Sequence, residues 1–274
     1  MRASVDLNSS AERGTLRRRR RGGTKPAPRL VFMEHTELDS TETVMSNTPV
    51  RMTSGATQIA GELHSPSGTN PTGLVMIAHG TDGFEDNERG LWKTMIRGYA
   101  EGLTKIGFFA LIPEYFAKTK TPAGGPAMDT MMKNRTDWAT ALADCATYAR
   151  TVPRVESSRI GLLGFSLGGH LCLYIRGAAK PRALVEYFAP MLDGIGPKGH
   201  VPRAQIHHGT KDLTPGTDFS NAGAIERIFL SEQTDVALFS YEGAGHGFVG
   251  SDKANQDANA LSKTRTLAFF GKHL

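Results

Sequence analysis

Ile160-Gly161-Leu162-Leu163-Gly164-Phe165-Ser166-Leu167-Gly168-Gly169-His170 is the stretch that decides the fold. Its first half is an uncharged, largely apolar run of the kind that forms a strand buried on both faces. Its second half matches G-x-S-x-G, extended by one more glycine, and opens a helix. The chain must reverse sharply between strand and helix, which puts the serine in a strained backbone conformation. Side chains two positions to either side would collide with that turn, so glycine belongs there. The serine oxygen is then held clear of the sheet at a helix N-terminus, where free N–H groups favour developing negative charge. Ser166 is therefore the candidate nucleophile.

The chain repeats this alternation to both sides. Leu74 to Ala78 and Phe108 to Ile112 read as buried strands, the second closed by Pro113. Ala183 to Phe188, Ala204 to His207 and Val236 to Tyr241 read as three more. Helical spacing is found at about 90–106, 129–151, 219–231 and 252–272, and after Gly168. Thr53 to Leu63 alternates weakly around Gly55 and Gly61, an edge strand or hairpin. Strands alternating with helices predict an α/β fold: a mostly parallel central sheet with helices on both faces. No break divides residues 50–274, so they are expected to form one domain.

A serine nucleophile needs a base, and the base an orienting acid. In the α/β-hydrolase order these follow the serine as acid and then histidine, each in a loop past a strand. His208-Gly209-Thr210-Lys211-Asp212 follows one strand and Gly243-Ala244-Gly245-His246-Gly247-Phe248 follows the last. Asp212 is the candidate acid and His246 the candidate base. Asp193, after the strand at 183–188, is a competing acid. Asp218 is a weaker one, placed to cap a helix. His207 and His208 precede the acid at a strand end and read as structural. The oxyanion hole takes the Leu167 N–H and a second N–H from the loop His79-Gly80-Thr81-Asp82-Gly83-Phe84, with Thr81 chosen before Gly80.

Composition excludes several classes. The chain has 274 residues and only two cysteines, Cys145 and Cys172, so it is no disulfide scaffold. Both read as buried core residues. No apolar run reaches the roughly 18–20 residues of a membrane-spanning helix. Eight Arg and one Lys against Asp6 and Glu12 leave +7 on residues 1–29, so the overall +5 leaves −2 on the remainder. The basic character belongs to the tail, and no nucleic-acid surface is expected on the domain. Residues 1–49, with Arg17 to Arg21 and then Pro26 and Pro28, read as a disordered tail. The arginines lack the apolar stretch of a twin-arginine leader, and Met33 and Met45 offer later starts. Neither a metal motif, a dinucleotide fingerprint nor a P-loop is present, so no cofactor is expected. The default compartment is the cytoplasm.

Five segments in order resemble the dienelactone hydrolase family of the α/β-hydrolase fold across about residues 50–274. They are Ile77-Ala78-His79-Gly80, Pro113-Glu114-Tyr115-Phe116, Gly164 to Gly169, His208 to Asp212, and Gly243 to Phe248. The resemblance implies a small hydrolase with little or no cap and a triad of Ser166, Asp212 and His246. It implies a pocket lined by loops at about 79–86, 114–126 and 247–250, with Gly80, Phe84, Tyr115 and Phe248 as candidate substrate contacts. The best-known members carry cysteine where this chain has Ser166, and a glutamate where it has Gly80. A thiol held in check by a carboxylate is thus replaced by a serine activated by its histidine. The arginine that degradative members place just past the histidine is absent from Phe248-Val249-Gly250-Ser251. An uncharged carboxylic ester or lactone fits better than dienelactone itself. Alternatives are a peptidase or a carbon–carbon hydrolase on the same fold, or a non-catalytic binding protein. Oligomeric state is left open.

Overall fold

The computed structural model describes residues 46–196, 199, 200 and 202–274. Eight strands form one sheet: β1 (Ser46–Ser54), β2 (Thr57–Ser65), β3 (Thr72–Ala78), β4 (Phe109–Pro113), β5 (Val155–Phe165), β6 (Ala183–Tyr187), β7 (Arg203–Gly209) and β8 (Val236–Tyr241). Their spatial order is β1-β2-β4-β3-β5-β6-β7-β8. β1 pairs antiparallel with β2, and β2 antiparallel with β4; every other pairing is parallel. The weakly alternating stretch is thus a hairpin, its turn at Gly55 with positive φ. β1 begins at Ser46, inside the tail expected at 1–49, because Ser46 to Pro49 pair with Glu62 to Ser65. The rest of the expected tail lies outside the described residues.

Among the described residues six α-helices accompany the sheet: α1 (Trp92–Lys105), α2 (Gly125–Asp129), α3 (Met131–Ala149), α4 (Leu167–Ala179), α5 (Ser220–Ser231) and α6 (Lys253–His273). The expected long helix at 129–151 is α3, preceded by the single turn of α2. Alternate residues of the parallel strands serve two cores. Leu74, Met76, Leu162, Leu184 and Ile206 pack with Trp138, Leu171 and Phe229 from α3, α4 and α5. Val75, Ile77, Leu163, Val185 and Tyr187 pack on the other face with Tyr99, Leu103 and Phe270 from α1 and α6. That two-sided burial is why these strands read as unbroken apolar runs. No helix among the described residues is long and apolar enough to cross a membrane.

Candidate active site

The elbow follows β5 directly. Ser166 has φ 53° and ψ −119°, a conformation disfavoured for a residue with a Cβ. It is held by two backbone bonds: its N–H donates to the Tyr187 carbonyl at 2.9 Å, and its carbonyl accepts from His170 at 3.1 Å. A Cβ on Gly164 would run into the Gly168 backbone, and one on Gly168 into the Ala78 and His79 carbonyls. The two glycines are required by close approach of β5, α4 and the loop after β3.

The acid and base loops leave β7 and β8 side by side. The Thr210 and Lys211 N–H groups donate to the Tyr241 and Ala244 carbonyls at 3.0 and 2.9 Å. A Cβ on Gly209 would strike the Ala244 carbonyl, so glycine before the acid lets the loops touch. The outcome is a linear array. His246 Nε2 lies 3.1 Å from Ser166 Oγ, and His246 Nδ1 lies 2.7 Å from Asp212 Oδ2. Burial pushes the Asp212 carboxyl up. Hydrogen bonds from His208 and His246, the His246 charge and the Thr214 N–H outweigh it and hold the carboxyl well below the usual range. Thr214 N and Thr217 Oγ1 each donate to Asp212 Oδ1 at 3.0 Å.

The competing acids lie elsewhere. Asp193 is exposed and pairs with Arg135 at 3.1 Å, and Asp218 is exposed. The cysteines are free and buried, and burial pushes the Cys145 thiol up to about 12. Among the described residues no group of His, Cys, Asp and Glu is arranged to hold a metal ion.

A cleft of about 280 Å³ opens on Ser166 and His246. Gly80 and Thr81 line it, and Gly80 approaches so closely that a Cβ there would sit 3.2 Å from Ser166 Cβ. Leu167, the first residue of α4, follows Ser166 and is buried. Three expected contacts are absent from the cleft. Tyr115 is fully buried, stacked on His79 at 4.3 Å, and its hydroxyl donates to the His79 carbonyl at 2.8 Å. Phe84 packs in the α1 core beneath Lys93 and Arg97. Phe248 packs against Phe188 and Tyr241 and borders only a neighbouring groove. The loop at 114–126 gives the cleft no residue; Met128 and Met131 do instead, with Trp92, Met95 and Ile96 of α1. Trp92 lies against Gly247, whose positive φ and missing Cβ admit the indole beside His246. Arg89, also on the wall, pairs with Asp82.

A profile of the dienelactone hydrolase family matches residues 59–274. The chain belongs to the dienelactone hydrolase family. A Synechocystis sp. protein provisionally named carboxymethylenebutenolidase is 26% identical over 229 residues, covering 75% of this chain and 87% of the relative. The fold is shared with the dienelactone hydrolase-like promiscuous phosphotriesterase P91 from metagenomic libraries, at TM-score 0.68 and 20% identity over 84% of this chain and 98% of that one. It is also shared with the Anabaena variabilis dienelactone hydrolase, at TM-score 0.62 and 18% identity over 84% and 99%. Est1E from Butyrivibrio proteoclasticus has TM-score 0.59 and 16% identity over 82% and 98%. As a family member the chain is a hydrolase on a mostly parallel α/β sheet.

Proposed function

We propose that this chain hydrolyses an uncharged carboxylic ester or lactone through an acyl-enzyme on Ser166. The observation that carries the reading is the unbroken line from Ser166 Oγ through His246 to Asp212, at 3.1 and 2.7 Å, with the serine at a positive-φ elbow. His246 Nε2 takes the Ser166 proton as Oγ attacks the carbonyl carbon. Asp212 keeps the hydrogen on Nδ1 and stabilises the imidazolium. The Leu167 and Thr81 N–H groups receive the oxyanion. His246 returns the proton to the leaving alcohol, and water repeats the attack with His246 as base. Gly80, beside the nucleophile, leaves room for the carbonyl. The Trp92, Met95, Met128 and Met131 side chains favour an apolar acyl or alcohol group, and the Arg89 charge is already met by Asp82. We place the protein in the cytoplasm, a reading supported by two unpaired buried cysteines.

The test is hydrolysis of p-nitrophenyl acetate and butyrate by intact protein, Ser166→Ala and His246→Ala. Each variant is expected to lose roughly 10⁴–10⁶-fold in kcat while keeping its unfolding midpoint. Undiminished turnover by Ser166→Ala would overturn the proposal.

A further inference from the structure

Asp212 is held by more than its catalytic histidine. His208, one turn upstream at the end of β7, is fully buried, and its Nε2 lies 3.2 Å from Asp212 Oδ2. That oxygen is the one that faces His246 Nδ1. The same His208 Nε2 lies 2.8 Å from the Thr217 carbonyl. Both neighbours can only accept, so Nε2 carries the hydrogen; it is bonded to the Thr217 carbonyl, with Asp212 Oδ2 beside it. Asp212 Oδ2 therefore lies against two imidazoles, 2.7 Å from His246 Nδ1 and 3.2 Å from His208 Nε2.

Behind His208 stands Glu186 of β6, on the same face of the sheet and also fully buried. Its Oε2 accepts the Ala189 N–H at 3.0 Å, while Oε1 and His208 Nδ1 are both buried without a hydrogen-bond partner. Burial pushes the Glu186 carboxyl up to about 7, against the pull of His208. Burial lowers His208, but its bonds to Asp212 and the charge of Glu186 outweigh that and raise it. The groups facing His208 are thus Glu186 from β6, Asp212 and the Thr217 carbonyl from the acid loop, and the Phe219 ring edge at 5.9 Å. Cys172 of α4 is within electrostatic reach of Glu186. His246 is reached through Asp212.

We infer that His208 is a positioning residue for the hydrolysis proposed above: with Oδ1 pinned by Thr214 and Thr217, the His208 N–H packed against Asp212 Oδ2 shares the charge of the oxygen that faces His246. The carboxylate is left less basic toward His246 than it would be alone. A neutral side chain without a donor at 208 releases charge toward His246 and makes its imidazolium more stable. Glu186 then keeps its proton, so the loss of His208 strands no buried charge.

The experiment compares intact protein with His208→Leu and His208→Gln. Two readouts are taken: the acid limb of kcat/KM against pH with p-nitrophenyl butyrate, and the His246 titration followed by NMR. In His208→Leu both are expected to move to higher pH by about half a unit to one unit. kcat should fall several-fold with KM unchanged. His208→Gln, whose amide N–H reaches toward the same oxygen, is expected to return both curves toward the original. A fall in kcat with the His246 titration unmoved would overturn the inference and leave His208 a packing residue. So would a downward shift, or a Gln variant that behaves like Leu. Protein that cleaves no ester but shows the NMR shift would remove the hydrolase proposal and leave the His208–Asp212–His246 coupling established.

Discussion

His207 and His208 are neighbours in the chain and belong to different halves of the molecule. His208 faces the α4 and α5 side, where its Nε2 lies 3.2 Å from Asp212 Oδ2. His207 faces the α1 and α6 side, fully buried in an aromatic layer, stacked on Tyr187 at 4.5 Å and on Phe239 at 5.3 Å. Its Nδ1 accepts from the Tyr241 hydroxyl at 2.7 Å, and its Nε2 donates to Gln205 at 3.2 Å. Among the described residues no carboxylate is paired with it. Burial first, and then the charge of Arg265, push it down to about 3. The same residue type on the same strand is thus kept neutral on one side and drawn toward its charged form on the other. The strand's alternation decides which histidine meets the chemistry.

That contrast can be broken from either side. The largest effect is expected on the His208 side. Asp212→Asn reverses the hydrogen that Nδ1 needs and should lower kcat by about 10⁴, with circular dichroism and unfolding midpoint little changed. On the His207 side the effect should be on stability. His207→Phe keeps the stack but leaves Gln205 without its donor and the Tyr241 hydroxyl without its acceptor. It is expected to cost about 1–3 kcal/mol at pH 7 by urea denaturation, with kcat per folded molecule unchanged. Acid should narrow that gap. A histidine depressed to about 3 in the folded state holds fewer protons than in the unfolded chain below its usual 6.5. The intact protein therefore loses stability as pH falls through that window, and the Phe variant lacks this loss.

The effect at Glu186 has the opposite sign in pH. Glu186 is raised from 4.5 to about 7, so the folded state holds a proton that the unfolded chain releases. Its contribution to stability is complete below pH 4.5 and is lost as pH rises to about 7. Glu186→Gln should therefore match the intact protein near pH 4.5 and exceed it near pH 7.5. A raise of that size corresponds to roughly 3 kcal/mol near pH 7.5. Melting curves across pH 4.5–8 check this; a gap that closes as pH rises would contradict the assignment.

The two histidines also mark where sequence reading ends. The sheet was legible because its strands are buried on both faces, leaving apolar runs such as Leu74 to Ala78. The triad candidates were legible because each lies just past a strand, and parallel strands deliver their ends to one edge. His207 and His208 both read as structural, since their roles depend on which face each takes and on the Asp212 loop returning beside β7. The first strand was read too short, since Ser46 to Pro49 are exposed and polar or turn-prone, with no apolar alternation to announce pairing. Tyr115, Phe84 and Phe248 were aromatic residues near the right loops, yet each fills the core instead of the cleft. Trp92, Met128 and Met131 take that place through the path of the loops around α1 and α2, which local periodicity does not encode.

The central claim is a covalent step on Ser166. Intact protein mixed with p-nitrophenyl acetate, acid-quenched within the first turnovers and digested, can be read by mass spectrometry for the acetylated peptide. One acetyl group on the peptide carrying Ser166, formed at the rate of the p-nitrophenol burst and missing from Ser166→Ala, is the expected result. An acetyl group accumulating at that rate on another residue, or turnover in the Ser166→Ala protein equal to that of the intact chain, would contradict the account.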